Sequence, residues 1–245
     1  MDDAQRRIAR ANHLIDAEPS RAGSPHGATD RLDRLCSALT RSLPATGVGL
    51  SLLTEDTHGG WALAASDTAS RMLEELQFSL GEGPCLDAFA SRRPVLEPDL
   101  LVHGMRRWPG YAPAAQEHGV RAVFAFPLQV GAARAGALDI YRDQQGALTS
   151  DALTQAFTFA DVAMSVLVDG QEDAAGGRSA PDLDDVLANR LEVYQAQGMV
   201  MIDLGVSIDE AIARLRAHAY AEGRSISDVA NDIVAGKLRL DRDAP

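Results

Sequence analysis

Lysine is almost missing from this chain: 22 of the 23 basic residues are arginine, and the one lysine, Lys237, stands near the C-terminal end. A P-loop needs Gly-Lys followed by Ser or Thr, since the lysine reaches the terminal phosphates and the hydroxyl meets the magnesium ion. Gly236-Lys237 is followed by Leu238, so a phosphate-cradling NTPase is excluded. The strand lysine of a protein kinase, a Schiff-base lysine and the lysine of a phospho-acceptor receiver domain are equally lacking. Cysteine is scarce too. Cys36 and Cys85 lie in separate segments without CxxC spacing, which predicts neither a disulfide framework nor a zinc cluster and fits a reducing cytoplasm. The histidines form no HExxH and no pair at metal-ligand spacing, so they read as solvent-facing. No metal and no cofactor are expected. Met1 to Arg7 lacks the apolar region of a signal peptide, and no run reaches the ~18 apolar residues of a membrane span. A cytoplasmic protein with no membrane partner is expected.

Positive charge is also short. The 23 Lys and Arg face 35 Asp and Glu, a net charge of −12, so the molecule as a whole repels a polyanion and any nucleic-acid site must be local. The 46% hydrophobic content is that of a folded chain, and 245 residues allow one large domain or two small ones.

Residues 1–28 are polar and Ala/Arg-rich and end in Gly23-Ser24-Pro25-His26-Gly27, which predicts a mobile N-terminal arm with at most one helix. From Thr29 or Asp30, the apolar residues Leu32, Leu35, Cys36 and Leu39 recur at helical spacing. Two segments, 47–54 and 61–66, then flank the turn-rich Asp56 to Gly60, the pattern of a hairpin. Residues 69–78 read as a helix, and Val95 to Glu97, between two prolines, as a short edge strand. A second hairpin joins 121–130 to 136–141, so a largely antiparallel sheet is expected. After Thr149-Ser150 a helix carries Leu153, Phe157, Ala160, Met164 and Leu167 on one face and Phe159, Val162 and Val166 on another. One face suits the sheet; the other suits either a second copy or a single broad buried face.

Residues 170–181 lack apolar periodicity and read as a linker. Three helical patterns follow, at 183–204, 208–221 and 226–235, punctuated by Gly205, Gly223 and Gly236. Ser207-Ile208-Asp209-Glu210 has the form of a reciprocal capping box. The boundaries are thus an arm at 1–28, a first domain at 29–169, a linker at 170–181, a three-helix unit at 182–240 and a tail at 241–245.

The order helix, hairpin, helix, hairpin, closing helix resembles a GAF domain, an α+β sensory fold related to PAS. Leu80-Gly81-Glu82-Gly83-Pro84-Cys85 and the pair Phe126-Pro127-Leu128 and Gly136-Ala137-Leu138 carry the likeness. The C-terminal unit resembles an ANTAR domain through Ala196-Gln197-Gly198-Met199-Val200-Met201, Glu210-Ala211, Leu215-Arg216, Ile226-Ser227-Asp228-Val229-Ala230 and Ile233-Val234. That resemblance implies an all-α module that binds nascent RNA at paired hexaloop stem-loops and prevents termination. It also implies that two copies act on two adjacent loops, and a homodimer is expected. The seam Leu187, Leu191, Tyr194, Gly198 and Met201 on the long helix suits one, or else packs within its own module.

The unit is not basic: residues 182–204 carry one basic and five acidic side chains, and residues 205–240 five of each. Unpaired loop bases are read by stacking and edge hydrogen bonds, so a patch suffices. Its candidates are Arg190, Gln197, Arg214, Arg216, His218, Tyr220, Arg224, Lys237 and Arg239. Many ANTAR domains have Lys where this chain has Gln197; the amide offers a base contact in place of a cation. In the first domain, Cys85, Trp108, Tyr111 and Phe124 are candidate ligand contacts for a small-molecule or protein signal, with burial in the core as the alternative for each. The expected function is a non-enzymatic, signal-responsive antitermination regulator. A DNA-binding regulator, an adaptor without RNA binding and a Cys85-dependent redox enzyme are the alternatives; Asp228 and Asp232 on the third helix disfavour insertion into a DNA groove.

Overall fold

A computed structural model of the chain describes residues 2–20, 27–53, 60–175 and 181–241, with the side chains of residues 171–190 outside that description. Helices α1 (Asp3–Ala17) and α2 (Ala28–Ser42) lead into strands β1 (Gly47–Leu53) and β2 (Gly60–Ala65). Helices α3 (Thr68–Leu80) and α4 (Pro84–Ser91) precede the short strand β3 (Val95–Glu97). A π-helical turn at Leu100–Gly104, a single turn α5 (Met105–Arg107) and α6 (Tyr111–Glu117) cross to β4 (Ala122–Val130) and β5 (Ala133–Arg142). The long α7 (Ser150–Ala175) closes the first module, and α8 (Pro181–Leu204), α9 (Ile208–Ala221) and α10 (Ile226–Val234) form the second.

The five strands make one antiparallel sheet in the order β2-β1-β5-β4-β3. Alternation along each strand sends neighbouring side chains to opposite faces. Val48, Leu50, Phe124, Phe126, Leu128, Leu138 and Ile140 point to the face covered by α1, α2 and α7. Val123, Ala125 and Tyr141 point to the other, beneath α3, α4 and α6. β3 lies at the edge as the flanking prolines require.

The N-terminal segment is not the arm its composition suggests. Asp2 caps α1 with Gln5 reciprocating, and Ala11 and Ile15, one helical turn apart, are buried in the first core. Arg31 reaches Asn12 at 2.8 Å and Asp16 at 2.9 Å, and Arg34 donates to the Ile15 carbonyl at 2.9 Å, fastening α1 to α2. That packing accounts for most of the two apolar faces of α7: Ala160, Met164 and Leu167 are buried along with Phe159 and Val162, enclosed by α1, α2 and the sheet of the same chain, with Leu153 partly buried, while Phe157 of the same face stays exposed. Residues 150–170 are apolar and long enough by composition to cross a bilayer, and more than half of that window is buried in this core. α7 continues to Ala175, six residues into the expected linker; 176–180 lie outside the described residues.

In the second module Ala196, Val200, Leu204, Ala211, Leu215, Ala219, Val229, Ala230 and Ile233 form a separate core. Gly205, Gly223 and Gly236 take positive φ after each helix. Ser207 accepts from the Glu210 N–H at 3.2 Å as expected, but the Glu210 carboxylate pairs with Arg214 at 2.9 Å, so half of the predicted box is made.

Candidate functional site

The face of the sheet under α3 and α4 carries a buried polar cluster. Glu74 and Gln77, three residues apart on α3, point down onto Ser51 of β1 and Asp139 and Tyr141 of β5, and all five are at most 1% exposed. Ser51 Oγ donates to Glu74 Oε2, and Tyr141 OH donates to Glu74 Oε1 at 2.5 Å. Gln77 Nε2 donates to Asp139 Oδ2 at 2.6 Å, while Gln77 Oε1 accepts from the Cys85 N–H at 2.9 Å. Gly49 on β1 makes the room: a Cβ there would overlap the Glu74 carboxyl.

Burial dominates the electrostatics. It pushes the Glu74 carboxyl up to about 7, against the hydrogen bonds from Ser51 and Tyr141. Burial, then the charge of Glu74, raises Asp139 well above the usual carboxylate range. The Cys85 thiol is raised by burial, then by Asp139 and Glu74, and so keeps its proton. The Tyr111 and Tyr141 phenols are raised by the same burial.

The turn Leu80 to Cys85 assembles the cluster's wall. Gly81 ends α3 at φ 69° and Gly83 takes φ 150°, where a side chain would strike Gln77; Pro84 then opens α4 with Cys85 behind it. Glu82 Oε1 accepts from the N–H groups of Gly110 at 2.6 Å and Tyr111 at 2.8 Å, fixing the start of α6. Trp108 Nε1 donates to Asp87 of α4 at 3.1 Å and its ring meets Tyr111 edge-on at 6.4 Å.

Cys85, Trp108 and Tyr111 are therefore on one side of the sheet, all buried. Phe124 is not with them. It shares its face with Phe126 and Leu128 and belongs to the core under α7, so the sheet divides the expected four-residue group. The parity of Phe124 with Phe126 along β4 carried that signal. Glu74, Gln77 and Asp139 were missed, though Asp139 interrupts the otherwise apolar Ala137 to Tyr141.

The candidate nucleic-acid residues divide as well. Gln197 is 4% exposed and donates to the Ile208 carbonyl at 2.9 Å. The packing of α8 against α9 encloses it, so the expected base contact is replaced by a bond holding the start of α9. Arg224 meets Asp232 at 2.6 Å, with Lys237 at 3.8 Å from the same carboxylate, and Arg214 pairs with Glu210. Tyr220 and Arg239 are exposed and His218 is half-buried. The side chain of Arg190 lies outside the described residues. Arg216 is turned away from solvent: a Cβ added at Gly81 would lie 2.9 Å from its guanidinium, and burial lowers its pKa.

Arg216 thus marks a contact between the modules. α3 packs against α9 and α10. Thr29, Trp61, Arg71 and Glu75 face Ser225 and Asp228 across a cleft of about 480 Å³. The Glu75 carboxyl is raised by burial, opposed by Arg71, with Asp228 of α10 adding a like charge. α3 is therefore a shared wall, with the buried cluster on one side and the helical module on the other.

An antiparallel sheet with a polar cluster enclosed by a helix, a glycine-rich turn and a cross-over segment defines the α+β class of the first module, here joined to a three-helix module. The chain belongs to the GAF domain family, whose model matches residues 25–168, and carries an ANTAR domain matched over residues 182–234. Among solved structures it is similar to the GAF domain of a phosphoenolpyruvate-protein phosphotransferase from Coxiella burnetii. The identity is 17%, with 71% of this chain and 99% of that one covered and a TM-score of 0.52, a likeness of fold. Similarity also extends to the GAF domain of an Acinetobacter phosphoenolpyruvate-protein phosphotransferase, at 13% identity over 73% of this chain and 99% of that one, with a TM-score of 0.49. A free methionine-R-sulfoxide reductase from Neisseria meningitidis, solved with its substrate, matches at 15% identity over 70% of this chain and 94% of that one, with a TM-score of 0.48. No curated protein matches.

Proposed function

We propose that this signal-responsive ANTAR regulator binds stem-loop RNA in nascent transcripts and prevents their termination, acting in the cytoplasm as a homodimer and without catalysis. The observation that carries the regulatory half of the reading is the two-sidedness of α3. Glu74 and Gln77 line the sensory interior, and the end of the same helix meets α9 through Gly81 and Arg216. A signal that binds one arrangement of the cluster better than another shifts α3 and so the fraction of molecules in which α9 is docked. Undocking exposes Arg216, one helical turn from the exposed Tyr220 on α9, so that a cation stands beside a stacking ring, the chemistry that unpaired loop bases and their phosphates demand. The dimer is supported by α8, where Leu191 and Ile202 are 67% and 76% exposed with Gly198 between them. An apolar strip interrupted by a glycine suits close approach of a second α8.

The test is a titration of the full chain against an RNA with two hexaloops, a single-loop control and duplex DNA, at low and physiological salt. Preference for the paired loops, reduced by Tyr220→Ala and Arg239→Ala, is the expected result. Equal affinity for duplex DNA, or no RNA binding by a folded protein with or without α9 undocked, overturns the reading.

A further inference from the structure

Glu74, Cys85 and Asp139 each turn one donor atom into the sensory core, and these atoms lie within 4.8 Å of one another. All three residues are fully enclosed. Two further buried atoms are unsatisfied among the described residues: Asp139 Oδ1, and the hydroxyl of Tyr111, whose one polar neighbour of note is the Tyr141 hydroxyl. A buried oxygen left without a hydrogen bond is costly and rare, and two of them near a thiol and a second carboxyl are an unusual concentration. We propose that Glu74, Cys85 and Asp139 bind a single borderline divalent transition-metal ion, of the zinc(II) or cobalt(II) type, with Tyr111 available as a fourth oxygen donor.

The donor set selects the ion. One sulfur and two carboxylate oxygens suit a small four-coordinate cation with metal–sulfur and metal–oxygen bonds of about 2.3 and 2.0–2.2 Å, and the three donor atoms draw together around it on binding. Magnesium and calcium call for all-oxygen shells with more ligands than this site supplies. The supporting shell is already built. Gln77 holds Asp139 through its amide nitrogen and the Cys85 backbone through its oxygen, so one side chain orients two ligands, while Ser51 and Tyr141 orient the third. Binding displaces the thiol proton and any carboxyl proton to solvent, leaving the metal–sulfur and metal–oxygen bonds in their place, with no change of oxidation state. The inference is independent of what the second module binds.

Cobalt(II) titrated into the chelator-stripped full-length chain tests this, with each addition incubated to equilibrium because the site is enclosed. The expected result is one equivalent bound per chain, with thiolate-to-cobalt charge-transfer absorption. Zinc(II) displaces the cobalt and millimolar magnesium(II) does not. Cys36→Ser keeps the band, Cys85→Ser abolishes it, and Asp139→Asn weakens binding about tenfold or more. Should Cys85→Ser lose its native circular dichroism, Asp139→Asn and Glu74→Gln decide by affinity alone. No band in the stripped native chain, a band that survives Cys85→Ser, or an affinity unmoved by both carboxyl variants overturns the proposal.

Discussion

Glu74 and Glu75, neighbours on α3, serve different surroundings: Glu74 is enclosed over the sheet, whereas Glu75 lines the inter-module cleft with Asp228. One peptide unit therefore separates a carboxyl buried over the sheet from a carboxyl that faces the helical module.

The pH dependence of stability follows from Glu74. In chelator-treated protein Glu74 is held near 7 in the folded state, against 4.5 for an ordinary glutamate, so between these values the folded state keeps a proton that the unfolded chain loses. Stability is greatest below pH 4.5 as far as this group is concerned, falls as pH rises through 7, and levels off above. The span is on the order of 3 kcal/mol. Glu74→Gln reduces this limb in denaturant unfolding across pH 4.5–8, the remainder belonging to Asp139, which burial raises as well, and leaves the variant at least as stable as the native chain at pH 8.

Removing the like charge across the cleft favours the docked arrangement. Glu75→Gln or Asp228→Asn is expected to lower affinity for paired-loop RNA by about two- to fivefold, the size of a partly exposed charge interaction. Hydrogen exchange slows in α9 over the same variants. Faster exchange there contradicts the docking geometry.

Gln197 is a structural residue. Gln197→Ala loses the bond to the Ile208 carbonyl and costs about 1 kcal/mol, read as a lower melting temperature of the helical module. Gln197→Lys, which restores the residue common in ANTAR domains, places an ammonium where the amide is enclosed; it destabilises the module and brings no gain in RNA affinity.

Gly49 is expected to tolerate nothing larger than hydrogen. Gly49→Ala forces the Glu74 carboxyl out of the cluster. The expected loss is about 1–3 kcal/mol in unfolding, the usual cost of overfilling a packed core. A double variant with Glu74→Ala recovers part of that loss.

How much of this was legible in the sequence depended on the physical signal each element carried. The helices of the second module were readable almost to the residue because glycines at positive φ end them and Ser207 and Ser225 cap them locally. The two hairpins, the antiparallel pairing and the proline-bounded edge were legible, while the β1–β5 pairing that joins the hairpins into one sheet needed the fold. Missed features were those whose signal is not local. Ala11 and Ile15 are a weak stripe among arginines, and only the waiting face of α7 makes α1 part of the core. Glu74 and Asp139 are ordinary acidic residues until the fold brings α3 over β5, 65 positions away in sequence. Gln197 resembled a base reader because its burial is decided by the docking of α9. For the candidate ligand contacts, period-two parity pairs Phe124 with Phe126 along β4, but which face of the sheet Cys85, Trp108 and Tyr111 share needed the fold.

The shared wall has an evolutionary side. Because α3 is at once the lid of the buried cluster and the ledge on which α9 rests, a substitution that repacks the cluster also shifts how firmly the helices of the second module are held. The two modules are not free to drift separately in this chain. Descendants in which the cluster is repacked should carry compensating changes in α9 and α10, at Arg216 and Asp228 before anywhere else.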